Sequence, residues 1–400
     1  MNKFIKSSLV ASIVVSGITS SSFAADSLAE SFSNGKFKGG LKSYYFAKTY
    51  EDSTKVDPSI WVNGGYLNYV TDTLNGLTLG ATLQTSHVNH KKANANNATY
   101  DRWMDASGSV LSESYLNYKL GKTALKAGRQ YISTPLVLGS SSRVIKEAFE
   151  AYLVTNTDIA NTTIVAGKIA KYQTRTDSAG GVSKFAQGRI GSNEMTSDGA
   201  KTVYIKNNSI KNLVLQGQYL DVTGLYTTLY MDALYKIDGD IKPYLAVQYY
   251  DTNYDSSASA DNNMYGLKGG VNIDGLKLHL SYTAVANDNG SYVKRGLGQS
   301  AYKSFTASWD SAGWKSYAPG AKSWQFGASK SFGNVSTLFR YSNYDVPTTT
   351  TSLKEMNFNI GYKFSGELKN LKASVTYSRL DYDVANGDND TLQTKLIYSF

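Results

Sequence analysis

The connections between this chain's patterned segments alternate strictly between tight and mostly longer ones, and few folds permit that. Turn chemistry marks eight tight connections, around Asn75-Gly76, Gly121-Lys122, Asp158–Asn161, Asn208–Asn212, Asp238-Gly239, Asp274-Gly275, Gly333-Asn334 and Gly366–Asn370. Nine others fall near Glu51–Pro58, His90–Val110, Thr134–Lys146, Thr174–Gly199, Val222–Gly224, Asn253–Asp261, Asp288–Gly320, Val346–Ser352 and Asp383–Asn389. Together they join eighteen segments. The segments alternate in polarity with period two. In Leu225–Ile237, Leu225, Leu229, Met231, Ala233 and Ile237 share one face, and Tyr226, Tyr230, Asp232 and Lys236 the other. The last ten residues repeat the pattern, with Leu392, Thr394, Leu396, Tyr398 and Phe400 opposite Gln393, Lys395 and Ser399. Such strands have one face for lipid and one for water.

The fold class that follows is all-β: a transmembrane antiparallel β-barrel of eighteen strands (±2). Short turns would lie at the periplasmic end and long loops outside. A barrel of that size is wide enough for an aqueous lumen. The first strand begins near Lys36, which leaves no residues for a plug. Export is written at the N-terminus. Lys3 and Lys6 precede the short apolar run Leu9–Ile18, and Ser22-Phe23-Ala24 supplies a cleavage site. Residues 1–24 therefore read as a cleaved signal peptide, and residues 25–400 as one barrel domain in the outer membrane. The terminal Phe400 resembles the assembly signal of bacterial outer-membrane barrels, which implies the barrel-assembly machinery as a partner. Outer-membrane lipids and lipopolysaccharide would surround the wall.

Composition excludes several functions. There is no cysteine and there are only three histidines, so thiolate chemistry is absent and imidazole chemistry scarce. No Gly-x-Ser-x-Gly or His-Glu-x-x-His motif occurs. His87 and His90 read as a solvated rim rather than a metal pair. No enzyme, cofactor or metal site is expected, and the net charge of +9 comes with no nucleic-acid motif.

Alternation assigns the lumen. It turns Lys38, Lys42, Lys119, Lys206, Lys242, Lys268, Lys277, Arg340, Lys363 and Lys395 inward, with the acids Glu113, Asp232 and Glu355. Lipid-facing charge costs ~2–4 kcal/mol at mid-depth, which supports that sorting. The sorting fails in Lys122–Tyr131, Glu147–Thr157, Thr162–Tyr172 and Lys372–Tyr382, where apolar residues occupy both parities. Arg129, Glu150, Lys168 and Arg379 lie there and read as bulge or rim positions. The expected lumen is basic, and low-dielectric walls focus such a field toward anions.

One segment breaks the β pattern. In Gly128–Glu150, Pro135 ends the strand, and Pro135–Leu138 is too apolar for an exposed loop. It is expected to fold inward and pack on the wall. Ser140, Ser141 and Ser142 would then offer hydroxyls, and Arg143 a forked cation that binds carboxylates bidentately. Arg129, at the segment's start, completes the candidate constriction.

Here the chain resembles the OprD-like family of bacterial outer-membrane porins. The resemblance rests on the N-terminal stretch Asp26–Phe46, on Gly128-Arg129-Gln130, Thr134-Pro135, Ser142-Arg143 and Phe149, and on Gly167–Ser178. It implies an eighteen-stranded barrel, often a homotrimer, with a narrow eyelet and a ladder of basic residues. It further implies passive passage of small hydrophilic solutes, commonly ones bearing a carboxylate. Arg143 takes the place of the eyelet arginine, and the ladder carries over loosely to Arg340 and the inward lysines. The chain departs in using many lysines where the family favours arginine. It also has Ala151 where a glycine often follows the Phe-x pair. The alternative reading is a structural or adhesive surface barrel with little transport.

Overall fold

The computed structural model describes residues 25–92, 104–177, 179–187, 198–309, 312–347 and 352–400. The export signal expected over residues 1–24 lies outside the described residues. The strands are β1 (Lys36–Tyr50), β2 (Ser59–Val70), β3 (Leu77–Lys91), β4 (Gly108–Leu120), β5 (Thr123–Gln130) and β6 (Ala148–Asn156). They continue as β7 (Thr162–Gln173), β8 (Ala200–Asn207), β9 (Leu213–Val222), β10 (Tyr226–Lys236), β11 (Tyr244–Tyr254) and β12 (Asn262–Ile273). The last six are β13 (Leu276–Val285), β14 (Lys322–Phe332), β15 (Val335–Asp345), β16 (Leu353–Lys363), β17 (Leu371–Tyr382) and β18 (Asn389–Ser399). Each pairs antiparallel with its neighbours in chain order, and β1 pairs with β18, so the 18-stranded sheet closes. At the seam, Gly39 N–H donates to the Phe400 carbonyl at 2.8 Å and Phe400 N–H to the Gly39 carbonyl at 3.0 Å.

The short end is built by side chains that tolerate positive φ. Asn75, Asn161, Asn212 and Asp274 all adopt it there. Among the described residues helix is almost absent, as an all-β chain requires. A six-residue helix, α1 (Leu28–Ser33), precedes β1. Ser27 caps it by accepting from Glu30 N–H, and Glu30 Oε2 accepts from Asp26 N–H at 2.9 Å. The Ser31 hydroxyl donates to the Asp72 carbonyl at 2.6 Å and ties the helix to the turn after β2.

The faces sort by alternation. In β12, Asn262 and Met264 are buried inward, while Tyr265 and Leu267 are half exposed outward. Leu267→Arg should therefore cost ~2–4 kcal/mol near the bilayer midplane. Denaturant titration of the barrel refolded in lipid bilayers checks this. Lys268→Gln, one residue along and facing the lumen, should leave the midpoint nearly unchanged.

The buried apolar cluster lies inside the barrel, where two loops pack on the wall. It joins Leu136, Val137 and Leu297 from the loops to Phe149, Ile169, Tyr204 and Leu220 from the strands. Strands β6 and β7 are thus apolar on both faces, lipid on one side and loop on the other. That is why their sequence shows no clean alternation.

Candidate functional site

The site grows from the two inward loops. The first, residues 131–147, turns in at Pro135, and Leu136 and Val137 are fully buried. Leu136 N–H donates to Gln218 Oε1 at 2.7 Å, and Gln218 Nε2 donates to Thr134 Oγ1 at 2.9 Å. The second, described over residues 286–309 and 312–321, was expected among the outer loops as Asp288–Gly320. Its described residues instead run along the inside of the wall. Leu297 N–H donates to the Leu136 carbonyl at 2.8 Å and Leu138 N–H to the Leu297 carbonyl at 2.9 Å. Farther along, Gln248 Nε2 donates to the Lys303 carbonyl at 2.6 Å. Gln325 Nε2 donates to the Thr306 carbonyl at 3.1 Å, and Ser308 Oγ to Glu355 Oε2 at 2.7 Å. Inward amides and hydroxyls of the strands therefore serve as the docking surface for this loop.

Glu147 pins the loops together and is fully buried. Its Oε2 accepts from Ser140 N–H at 2.8 Å and from Gln299 N–H at 2.9 Å. Its Oε1 pairs with Arg175 Nε at 3.3 Å. Sequence reading missed both Glu147 and Arg175.

Against this frame sits a group of cations. Arg143 Nη1 donates to the Tyr44 hydroxyl at 2.8 Å, and the guanidinium stacks 5.3 Å from that ring's centre. Tyr44 in turn donates to Gln393 Oε1 at 2.7 Å. Lys395 reaches over the same ring at 4.8 Å. Lys42 Nζ donates to the Val144 carbonyl at 2.9 Å. Lys395 interacts electrostatically with Arg143, Lys42 and Arg175, and Lys42 with Lys146. Among the described residues of this group, Lys42, Arg143, Lys146, Arg175 and Lys395 stand with two carboxylates, Glu113 and Glu147. In the loops, burial lowers the Lys146 and Lys303 ammonium pKa values, partly countered by Glu113 and Asp232 respectively.

A second basic group lies farther round the wall, on β12, β13 and β15. Lys268 and Arg340 interact electrostatically, and His279 faces both. Gly327 lies in register between His279 and Arg340, and a Cβ there would meet His279 Cε1 at 2.0 Å. The glycine is the space the imidazole occupies. Arg340 stacks 5.8 Å from the Trp309 ring, and its buried Nε makes no hydrogen bond among the described residues.

The remaining sequence candidates are distributed along the wall. Lys38, Lys277 and Lys363 share the inward parity and lie at the short-turn end. Asp232 accepts from Gln216 Nε2 at 2.6 Å and from the Tyr230 hydroxyl. Glu113 accepts from Thr82 Oγ1 at 2.6 Å, and Glu355 from Asn357 Nδ2 at 2.7 Å.

Three placements differ from the sequence reading. Lys242 is not on the wall. It lies exposed in the turn between β10 and β11 with φ of 39°, because β11 starts later than the alternation suggested. Arg129 does not face the lumen. It shares the outer face with Ala127 and Leu125, pairs with Glu150 at 3.7 Å, and stacks 4.5 Å from the Phe185 ring. Small and apolar residues on both parities of this strand had blurred its alternation. Ser140 is buried, with its Oγ 2.9 Å from Ser142 Oγ, so it shapes the turn. Ser141 and Ser142 remain exposed.

A family model described as outer membrane porin, OprD family, matches residues 36–400. Solved structures with the same fold include Pseudomonas aeruginosa OccK3 (OpdO), at 16% identity and TM-score 0.77, covering 93% of this chain and 97% of that one. A BenF-like porin from Pseudomonas fluorescens Pf-5 matches at 16% identity and TM-score 0.78, covering 92% and 99%. Pseudomonas aeruginosa OpdK with vanillate matches at 17% identity and TM-score 0.74, again covering 92% and 99%. No curated protein matches the chain.

Proposed function

This chain belongs to the OprD family of outer-membrane porins, and from that premise we propose that its channel favours small solutes carrying a carboxylate. The family is one of channels rather than of enzymes, and a purely structural or adhesive surface barrel is not favoured. The observation that carries the proposal is the cation group around Arg143, in which bases outnumber acids beside the inward loop. A carboxylate drawn down the basic field would meet the Arg143 guanidinium, held in orientation by Tyr44 and Ser142. Exposed Ser141 and Ser142 would serve neutral groups. Lys268 and Arg340 offer a second station, and Lys38, Lys277 and Lys363 a third at the short-turn mouth. Several shallow sites suit flux better than one deep site, since the solute must also leave. The neighbour OpdK with vanillate, a small carboxylate, agrees with that chemistry.

Arg143→Ala tests the reading. A hydrogen bond to a charged group is worth ~1.5–3 kcal/mol, so carboxylate residence in the channel should fall by at least tenfold. The reversal potential under a salt gradient should also move toward zero. Unchanged selectivity and residence would remove Arg143 from the site.

The same reading takes residues 1–24 as a cleaved export signal and residues 25–400 as one domain. Phe400 is proposed as the contact for the assembly machinery, and a homotrimer as the assembly. The mass of the detergent-solubilised protein by light scattering checks the last point.

A further inference from the structure

We propose that the outer wall of β7 and β8 binds the phosphate of an anionic lipid headgroup through Lys168 and Lys201. The inference uses the membrane placement of the barrel and is independent of what passes through it.

Lateral registry gives the rows of the membrane-facing surface. One row runs Leu125, Val154, Ala166, Val203 and Tyr219, each opposite the next on adjacent strands. It is apolar and ends in a tyrosine. The next row toward the long loops runs Ala127, Tyr152, Lys168, Lys201 and Asp221. Beyond it, Arg129, Glu150 and Lys171 share one face, with Lys171 Nζ 2.9 Å from Glu150 Oε1. Tyr152 and Tyr219 are 55% and 45% exposed, as expected of an aromatic girdle at the lipid–water boundary. Lys168 and Lys201 therefore sit at the height of lipid headgroups.

Their placement favours an anion. They are directly opposed, Lys168 with Lys201, and both are exposed. Like charges directly opposite in a sheet destabilise it. The outer triad satisfies its charges internally through Glu150, whereas neither lysine of this pair makes a hydrogen bond or ion pair among the described residues. Asp221, directly opposite Lys201 on the same outer face, offsets one of the two charges, and a net positive charge remains beside Lys168. A phosphate above the pair would offset their repulsion, while acyl chains from the same molecule lie on Val154, Val203 and Ile205. A lipid fits both halves of this surface. A second copy of the chain meeting it through a two-fold axis would bring lysine against lysine.

The test uses full-length protein in detergent, incubated with bisphosphorylated lipid A and read by native mass spectrometry. Wild type should retain the lipid. K168Q/K201Q should retain it about 10–30-fold less, the worth of two lysines near a charged surface. Dephosphorylated lipid A should bind weakly and equally to both. Heat-modified gel migration and unchanged conductance show that the variant is folded, since both side chains point away from the lumen. Equal retention of the phosphorylated lipid by both proteins overturns the proposal. So does displacement of the lipid by millimolar inorganic phosphate, which would mark a site for the free ion. Loss of oligomers without any change in lipid retention would mean that a second copy covers the wall, and also overturns it.

Discussion

Glu147→Ala is expected to release both inward loops at once and give a larger, noisier channel. Its carboxylate holds the Ser140 and Gln299 N–H groups and pairs with Arg175, all inside the barrel. Removing one partner of a buried ion pair costs ~3–5 kcal/mol, because the other charge stays buried. Each N–H deprived of its acceptor adds ~1–3 kcal/mol. The strands do not depend on these contacts, so the barrel should still refold and migrate as folded protein. The loss should appear in the loops, as higher single-channel conductance with rapid fluctuation. Glu147→Gln keeps an acceptor oxygen for the two N–H groups and should fall between alanine and wild type. An alanine variant with wild-type conductance and noise would show that Glu147 does not hold the constriction.

Gly298→Val should produce nearly the same channel by a different route. Gly298 adopts φ of 94°, and Gly296 two residues earlier adopts 103°. Side chains in the left-handed region cost ~1–2 kcal/mol per residue. Space is the stronger constraint. A Cβ at Gly298 would stand 2.2 Å from the Leu138 carbonyl oxygen, and one at Gly296 would stand 2.1 Å from that of Leu136. These are backbone atoms of the first loop, so no side chain can yield. The ladder between the loops must open, and it carries the Leu297 bonds on both sides. Conductance should rise, and protease should cut within residues 286–321 from the long-loop side. Gly239→Ala, at a turn glycine with positive φ but open space around it, should leave conductance unchanged.

What the sequence revealed depended on which surface each residue met. The turns were legible because Asn75-Gly76 and Asp274-Gly275 carry their conformational preference locally. The wall was legible wherever aliphatic residues keep mostly to one parity, as in β10 and β12. It was not legible in β6 and β7, where the inner face packs on Leu136, Val137 and Leu297 and is as apolar as the outer one, nor in β5, where Ala, Gly and Leu fall on both parities. Arg129 was misplaced for that reason. The first inward loop announced itself through Pro135 and the apolar residues after it. The second did not. The described residues of that loop are held by backbone contacts and by scattered Gln and Glu side chains of distant strands, and such partners leave no periodic trace. Glu147 and Arg175 were hidden likewise, since their pairing exists only after both chain segments enter the barrel.

Single-channel recording in a planar bilayer, with the reversal potential under a salt gradient, tests the account most directly. The basic groups around Arg143 and around Lys268 and Arg340 predict stable conductance steps with anion preference. Cation preference, or folded protein that conducts no current, would contradict it.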